Sequence, residues 1–349
     1  RTMVGVKRNE NSETRKVVLR FHNGRENFFK TKPFLPDYDE FFDDDKQDQV
    51  WFDTILNEEL VQQILSYGKD VEVLEPKELK IQLKEHIKHF GAQLTVGLVP
   101  TMGALHQGHI ALVERAAIEN DIVVVTIFVN PKQFNNSSDL KKYPRTIETD
   151  IALLSRFNNV VVCIPEVNDV YPENDSYSPI KLGVLDEVLE GRYRPGHFPG
   201  VAHVVHNLFS FIEPTSAYFG LKDYQQFAVI NEMVKQTNLE VKVEGCNTVR
   251  DKNGLALSSR NFNLNEEQIN DALIIIETLR FIKNKLDQFE IDDVLEQAKV
   301  FFNKGKLTLE YLDIVDAKSF KRVTHLNQKS VCCIAAFCGE VRLIDNILL

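Results

Sequence analysis

The chain has 349 residues, 43% hydrophobic and 26% charged, with a formal net charge of −10, the balance of a globular protein of two or three domains. The acidic balance argues against general nucleic-acid or membrane-surface binding, which favours a basic surface, and no apolar run approaches the length of a membrane span. Five cysteines (Cys163, Cys246, Cys332, Cys333, Cys338) lack zinc-ribbon spacing, and their odd number points to reduced, packed thiols and a cytoplasmic setting. The basic, polar N-terminus is no signal peptide, and a chain beginning at Arg1 reads as a fragment or a processed product.

In chain order, "KVVLRF" and "QVWFDTIL" are predicted strands, because β-branched and aromatic residues dominate them. The acidic "FFDDDKQDQ" between them is predicted as a solvated turn. "NEELVQQILSYG" predicts a helix with an asparagine cap and a terminal glycine, and "DVEVLEP" a strand. "ELKIQLKEHIKHF" places Leu79, Leu83, Ile87 and Phe90 at helical spacing. From residue 94 strands alternate with helices: "LTVGLVP" strand, "HIALVERAAIEN" helix, "DIVVVTIFV" strand, "VVVCIP" strand. That alternation predicts a parallel sheet with right-handed crossovers. "GVAHVVHNLFSFI" and "QQFAVINEMVKQT" are amphipathic helices, and a smaller α/β region follows "EGCNTV", with "SVCCIAAF" a buried strand. His203 and His206, three apart on the first of these helices, read as structural.

Ligands of such sheets bind beyond the carboxyl ends of strands. "LTVGLVP" ends at "TMGALHQGH", which turns into a helix. A glycine-bearing turn and a helix N-terminus favour anions, and His106 and His109 beside it can hydrogen-bond phosphate oxygens. Two other readings compete: zinc ligation, for which no Cys, Asp or Glu lies in a familiar arrangement, and ordinary helix-start histidines. The phosphate reading gains from partners downstream. Asn130 and Gln133 in "FVNPKQF" offer neutral hydrogen bonds, although Gln133 alone reads as a loop residue. "YFGLKDYQQF" places Lys222, Asp223 and Gln226 in a loop entering a helix, and "GLALSSRN" joins Ser258 and Ser259 to Arg260. Hydroxyls and a guanidinium are suitable donors to a triphosphate.

The blocks "VPTMGALHQGH", "VNPKQF", "YPRT", "EGRYRPGHFPGV", "YFGLKDYQQ", "GLALSSRN" and "RLIDN" resemble, in order, those of the pantothenate synthetase family, the pantoate–β-alanine ligases of the nucleotidyltransferase superfamily. The resemblance covers roughly residues 77 to 349. It implies a Rossmann-like catalytic domain over 77–248 and a smaller α/β lid domain over 249–349, hinged near Val249. It implies that ATP activates the pantoate carboxylate as an adenylate, with loss of pyrophosphate, and that β-alanine then displaces AMP. By resemblance, Met102, Gly103, Ala104, Leu105, His106, Gln107, Gly108 and His109 form the ATP loop, with His109 as proton donor and His106 and Lys222 also catalytic. Gly220, Leu221, Lys222, Asp223, Val249, Leu257, Ser258, Ser259 and Arg260 would contact ATP, and Gln133 and Gln226 would hold pantoate, Gln133 also lying near β-alanine. Mg²⁺ would bridge phosphate oxygens with no protein ligand assigned, and the assembly would be a cytoplasmic homodimer. Leu221 departs from the family's usual glutamate, and Arg192 and Arg194 fit either anion attraction or a fold role.

The preceding segment, over 1–76, resembles the C-terminal extension of WYL-type transcription regulators through "KVVLRF" and "VWFDTILNEELVQQILSYGKDVEVLEPKELK". It implies a small ferredoxin-like α+β module. With neither helix-turn-helix nor WYL core in this sequence, no nucleic-acid reader is visible. The alternative function is a regulator-like fusion whose synthetase half binds ligand without turnover.

Overall fold

The computed structural model describes residues 14–21, 42–43, 46–54, 56, 60–61, 64, 71–83 and 94–349, less 135–139, 142, 174, 176, 324 and 326–328. It forms two compact units, Arg1–Leu94 and Thr95–Leu349.

The first unit is built on four strands, β1 (Arg15–Phe21), β2 (Phe42–Asp43), β3 (Lys46–Thr54) and β4 (Val71–Glu75). They lie in the order β2-β3-β1-β4 with every pair antiparallel. β1 is interior and the connections skip a strand, the arrangement of a ferredoxin-like split pair. Alternation along β1 turns Val17, Leu19 and Phe21 to one face, where they meet Val50, Phe52 and Val73 and the helical Leu60, Val61 and Ile64. Part of the acidic stretch predicted as a turn is strand instead: β2 pairs with β3, setting Asp43 opposite Lys46. Residues 77–83 are helical, and Leu79 and Leu83 are buried in this same core. The helix that opens the longer motif series therefore packs with the module before it.

In the second unit β5 (Val96–Thr101), β6 (Ile122–Ile127), β7 (Val160–Cys163), β8 (Ser216–Gly220) and β9 (Lys242–Cys246) form a parallel sheet in the order β7-β6-β5-β8-β9. β-Branched runs such as "IVVVTI" suit strands covered on both faces. The principal helices are α1 (Gln107–Glu119), α2 (Ile147–Leu154), α3 (His197–Ile212) and α4 (Tyr224–Thr237). β8, "SAYFG", was not predicted, because a serine and an alanine follow Pro214 and mute the strand pattern. Beyond β9, helices α5 (Leu273–Lys285) and α6 (Ile291–Phe302) cover the antiparallel sheet β10 (Thr308–Asp316), β11 (Ser330–Cys338), β12 (Val341–Leu348) around a separate core centred on Leu279, Phe302 and Ile334. Cys332 and Cys333 are buried in β11 and all five cysteines are free. No helix among the described residues is long and apolar enough to cross a membrane.

The single tryptophan, Trp51, lies in β3 with the Lys16 ammonium 4.6 Å from its ring centre, so its fluorescence reports the first unit alone. Leu79→Ala removes a fully buried side chain and is expected to cost that unit about 2–5 kcal/mol in urea unfolding followed by Trp51 emission. An unchanged midpoint would place the helix outside the module's core.

Candidate active site

β5 pairs with β6 on one side and with β8 on the other, so the chain crosses over in opposite directions from its two flanks. That is the switch point at which a parallel sheet leaves a crevice beyond its carboxyl ends. A cavity of about 260 Å³ opens there, walled by the 101–109 turn, the 130–133 turn, α3, residues 219–226, the 247–261 segment and β12.

The first wall is shaped by a carboxylate. Gly103 and Ala104 both adopt positive φ, 78° and 49°, as the chain reverses out of β5. The buried Asp150 carboxylate of α2 accepts the N–H groups of Ala104 (2.9 Å) and Leu105 (2.8 Å). His106 then caps α1: its Nδ1 accepts the Gly108 N–H at 3.0 Å, while its own N–H donates to His109 Nδ1 at 3.3 Å. A Cβ on Gly108 would stand 2.7 Å from His106 Cε1, so the cap requires glycine there. With both Nδ1 atoms accepting, the neutral rings carry their protons on Nε2. Burial, with the nearby Lys222 cation, lowers His106 to about 4. Burial, with His106 and Lys222, lowers His109 to about 3. Asp150 takes the backbone N–H groups of 104 and 105, and the two histidines take those of 106 and 108, so the imidazole Nε2–H groups are donors this turn offers to an anion.

The opposite wall comes from the turn Pro131–Gln133 and from α3. Gln133 is buried, and its Nε2 lies 3.1 Å from Met102 Sδ. Its carbonyl bonds His197 Nδ1 at 2.9 Å, and His197 Nε2 accepts from Arg194 Nη1 at 2.9 Å. Arg194 reaches the cavity, whereas Arg192 is exposed outside it. The apolar part of this wall is Val201, Val204, Val205 and Leu208.

Lys222 and Gln226 sit four residues apart across the start of α4, with Asp223 Oδ1 3.9 Å from Lys222 Nζ. Asn346 of β12 donates to the carbonyls of Leu221 (2.9 Å) and Lys222 (2.7 Å), pinning this turn from the C-terminal sheet. Ser259 Oγ donates to the Ala104 carbonyl at 3.0 Å, and Ser258 Oγ accepts the Arg260 N–H at 3.3 Å. Met102, His106, Gly108, His109, Gln133, Gly220, Lys222, Asp223, Gln226, Val249, Leu257, Ser258, Ser259 and Arg260 all line the cavity; Gly103, Ala104, Leu105, Gln107 and Leu221 do not. Leu221 packs towards Gly245 of β9. Among the described residues no three His, Cys, Asp or Glu side chains converge as a metal site.

The family model described as Pantoate-beta-alanine ligase matches residues 74–348. The chain belongs to the pantoate–β-alanine ligase family. It is 48% identical over 268 residues to the pantothenate synthetase of Phocaeicola vulgatus, an overlap of 72% of this chain and 91% of that protein. The Bacteroides thetaiotaomicron pantothenate synthetase is 45% identical, covering 75% of this chain and 96% of its own. Among solved structures, pantothenate synthetase from Thermus thermophilus superposes with a TM-score of 0.69 at 38% identity, over 75% of this chain and 96% of that one. The Francisella tularensis ligase, described as complexed with beta-gamma ATP and beta-alanine, gives 0.60 at 36%, over 75% and 95%. A second family model, the WCX domain, matches residues 13–90 and relates the N-terminal module to WYL-type regulators.

Several residues of this ligase-family site went unread in the sequence. Asp150 carries no signal of its own, and Asn346, although it closes "RLIDN", gives no sign of its role, because their partners lie 46 and 124 residues away. In the pair "QQ" packing supplies the reason for the difference between two identical neighbours. Gln225 is buried and spends its amide on the Leu185 and Val188 carbonyls, leaving Gln226 to the cavity.

His106 and His109 are expected to show no NMR titration midpoint above about pH 5, given folded values of about 4 and about 3. The unfolded rings protonate near 6.5, so acidification from about 6.5 towards 4 draws stability from the fold. A midpoint near 6.5 for either ring would contradict this electrostatic picture.

Proposed function

We propose that this protein condenses pantoate with β-alanine to pantothenate through a pantoyl adenylate, cleaving ATP to AMP and pyrophosphate. The observation that carries the reading is one cavity in which two neutral imidazoles and Lys222 face Gln133 and Gln226, in a chain that matches such ligases over nine-tenths of their length. Pantoate offers a carboxylate, two hydroxyls and two geminal methyls. Gln133 and Gln226 suit the polar groups without adding negative charge, and Val201, Val204 and Leu208 suit the methyls. The nucleophile is the substrate's own carboxylate, so the protein's task is alignment and charge stabilisation.

ATP would lie across the 102–109 turn, Gly220–Asp223, Val249 and Leu257–Arg260. His106 and His109 would donate Nε2–H bonds to phosphate oxygens while Lys222 offsets charge developing at the α-phosphate. With its Nδ1 accepting the His106 N–H, His109 keeps Nε2–H for a hydrogen bond to the departing pyrophosphate, which leaves as an anion. Mg²⁺ would enter with the ATP phosphates. Asp223, 45% exposed at the cavity wall, would be a carboxylate available to the ion there. There the ion would neutralise phosphate charge. A cytoplasmic homodimer built through the catalytic domain accords with the family, and no nucleic-acid partner is required. A ligand-sensing role without turnover is not favoured, since the cavity keeps its donors from every motif.

Full-length protein with pantoate and ATP should release pyrophosphate, and adding β-alanine should yield pantothenate and AMP. His109→Ala is expected to lower kcat by at least about tenfold. Folded protein that forms no pantothenate would end the proposal, and undiminished turnover by the variant would remove His109 from the mechanism.

A further inference from the structure

The Gln133 carboxamide is useful to an anionic substrate only if its NH₂, not its carbonyl, faces the cavity. Which way it points is decided by Asn130, three residues before it. Asn130 is 1% exposed, and its carboxamide meets two backbone groups of opposite kind. The Lys132 N–H donates to Oδ1 at 3.1 Å, and Nδ2 donates to the Gly200 carbonyl at 3.1 Å. These two groups and the Tyr171 hydroxyl together set the orientation of the Asn130 amide. The second Nδ2 proton then goes to Gln133 Oε1 at 3.0 Å, and the second Oδ1 lone pair receives the Tyr171 hydroxyl at 2.7 Å. Every donor and acceptor of Asn130 is used. Gln133 must therefore present Nε2 away from Asn130, towards Met102 and the cavity.

Tyr171 is itself gripped on both sides. Lys132 Nζ stands 3.7 Å from its ring centre, and the His203 ring meets it edge-on at 4.8 Å. His203 is stacked on Tyr177 at 4.3 Å and paired with Asp175, which also accepts from Asn207 Nδ2 at 3.2 Å. Burial pushes the Tyr171 hydroxyl well above its ordinary pKa, so it remains a donor. α3 can lie this close because position 200 is glycine; a Cβ there would strike the Lys132 carbonyl.

We propose that Tyr171 is a positioning residue of the pantoate subsite, holding Asn130 so that Gln133 offers an N–H donor to the substrate's carboxylate or hydroxyl. This rests on the assignment of the Gln133 wall to pantoate. His203, read from the sequence as structural, acts here as the buttress of the Tyr171 ring.

The test is steady-state kinetics of the full chain with Tyr171→Phe, which keeps the ring and removes the hydroxyl, beside Asn130→Asp, which cannot donate to Gln133. Tyr171→Phe is expected to raise the pantoate KM about fivefold, the worth of one hydrogen bond. The ATP KM should stay within about twofold, and Asn130→Asp should raise the pantoate KM further. An unchanged pantoate KM in Tyr171→Phe, or equal rises for pantoate and ATP, would overturn the role. Wild-type protein that releases no pyrophosphate from pantoate and ATP would instead overturn the functional reading beneath it.

Discussion

The Asp150 carboxylate sets the geometry on which the site depends. A carboxylate only 1% exposed is costly unless its oxygens are answered, and here two consecutive backbone N–H groups and the Thr146 hydroxyl answer them. Holding Ala104 and Leu105 from behind bends the chain through two left-handed residues and starts α1 at His106. The bend turns the Ala104 carbonyl outward, where Ser259 bonds it. The serine-bearing segment thus docks on the turn that carries the imidazoles, and the two are shaped by one buried charge.

A second buried cluster ties the C-terminal sheet to the same cavity. Glu190, on the short helix Leu189–Tyr193, receives both Arg342 terminal nitrogens and the Tyr311 hydroxyl. Burial alone would raise the Glu190 pKa, but hydrogen bonding and charge from Arg342 outweigh it and hold the group at about 2. Breaking one partner of such a pair leaves a bare buried charge and costs about 3–5 kcal/mol. Arg342 lines the cavity, and three residues on Asp345 accepts both arms of Arg250. With Asn346 on the Lys222 turn, β12 joins the 221–223 turn, the 250 region and the Glu190 helix through three successive polar contacts. This gives "RLIDN" its physical meaning: a strand whose polar residues reach across to the catalytic half.

Much of this was legible in the sequence wherever one element carried its own signal. Apolar β-branched runs marked β5, β6, β7 and β11, and glycine and histidine spacing marked the 101–109 turn. β8 escaped because Ser216 and Ala217 are weak strand formers, although it pairs with both β5 and β9. The turn's chemistry was legible only in part. Spacing drew attention to the imidazoles, which line the cavity, but it suggested that backbone N–H groups would face the ligand, while Asp150 and His106 take several of them. Residues whose role lies in a distant partner, such as Asn346 or Tyr171, have no periodicity to betray them.

The join between the two matched regions follows a similar logic. Their ranges overlap over residues 74–90, so one stretch satisfies two sequence patterns. A helix can do this because a single face is enough for one core. Leu79 and Leu83, four apart, are buried in the first unit, while Ile81 between them is 54% exposed. A strand would have had only alternate residues to divide between two demands, whereas a 3.6-residue period leaves most of the surface free. The ligase-family match therefore begins on an element already folded into the preceding module, and a truncation at the start of that match would remove the strands against which Leu79 and Leu83 are buried.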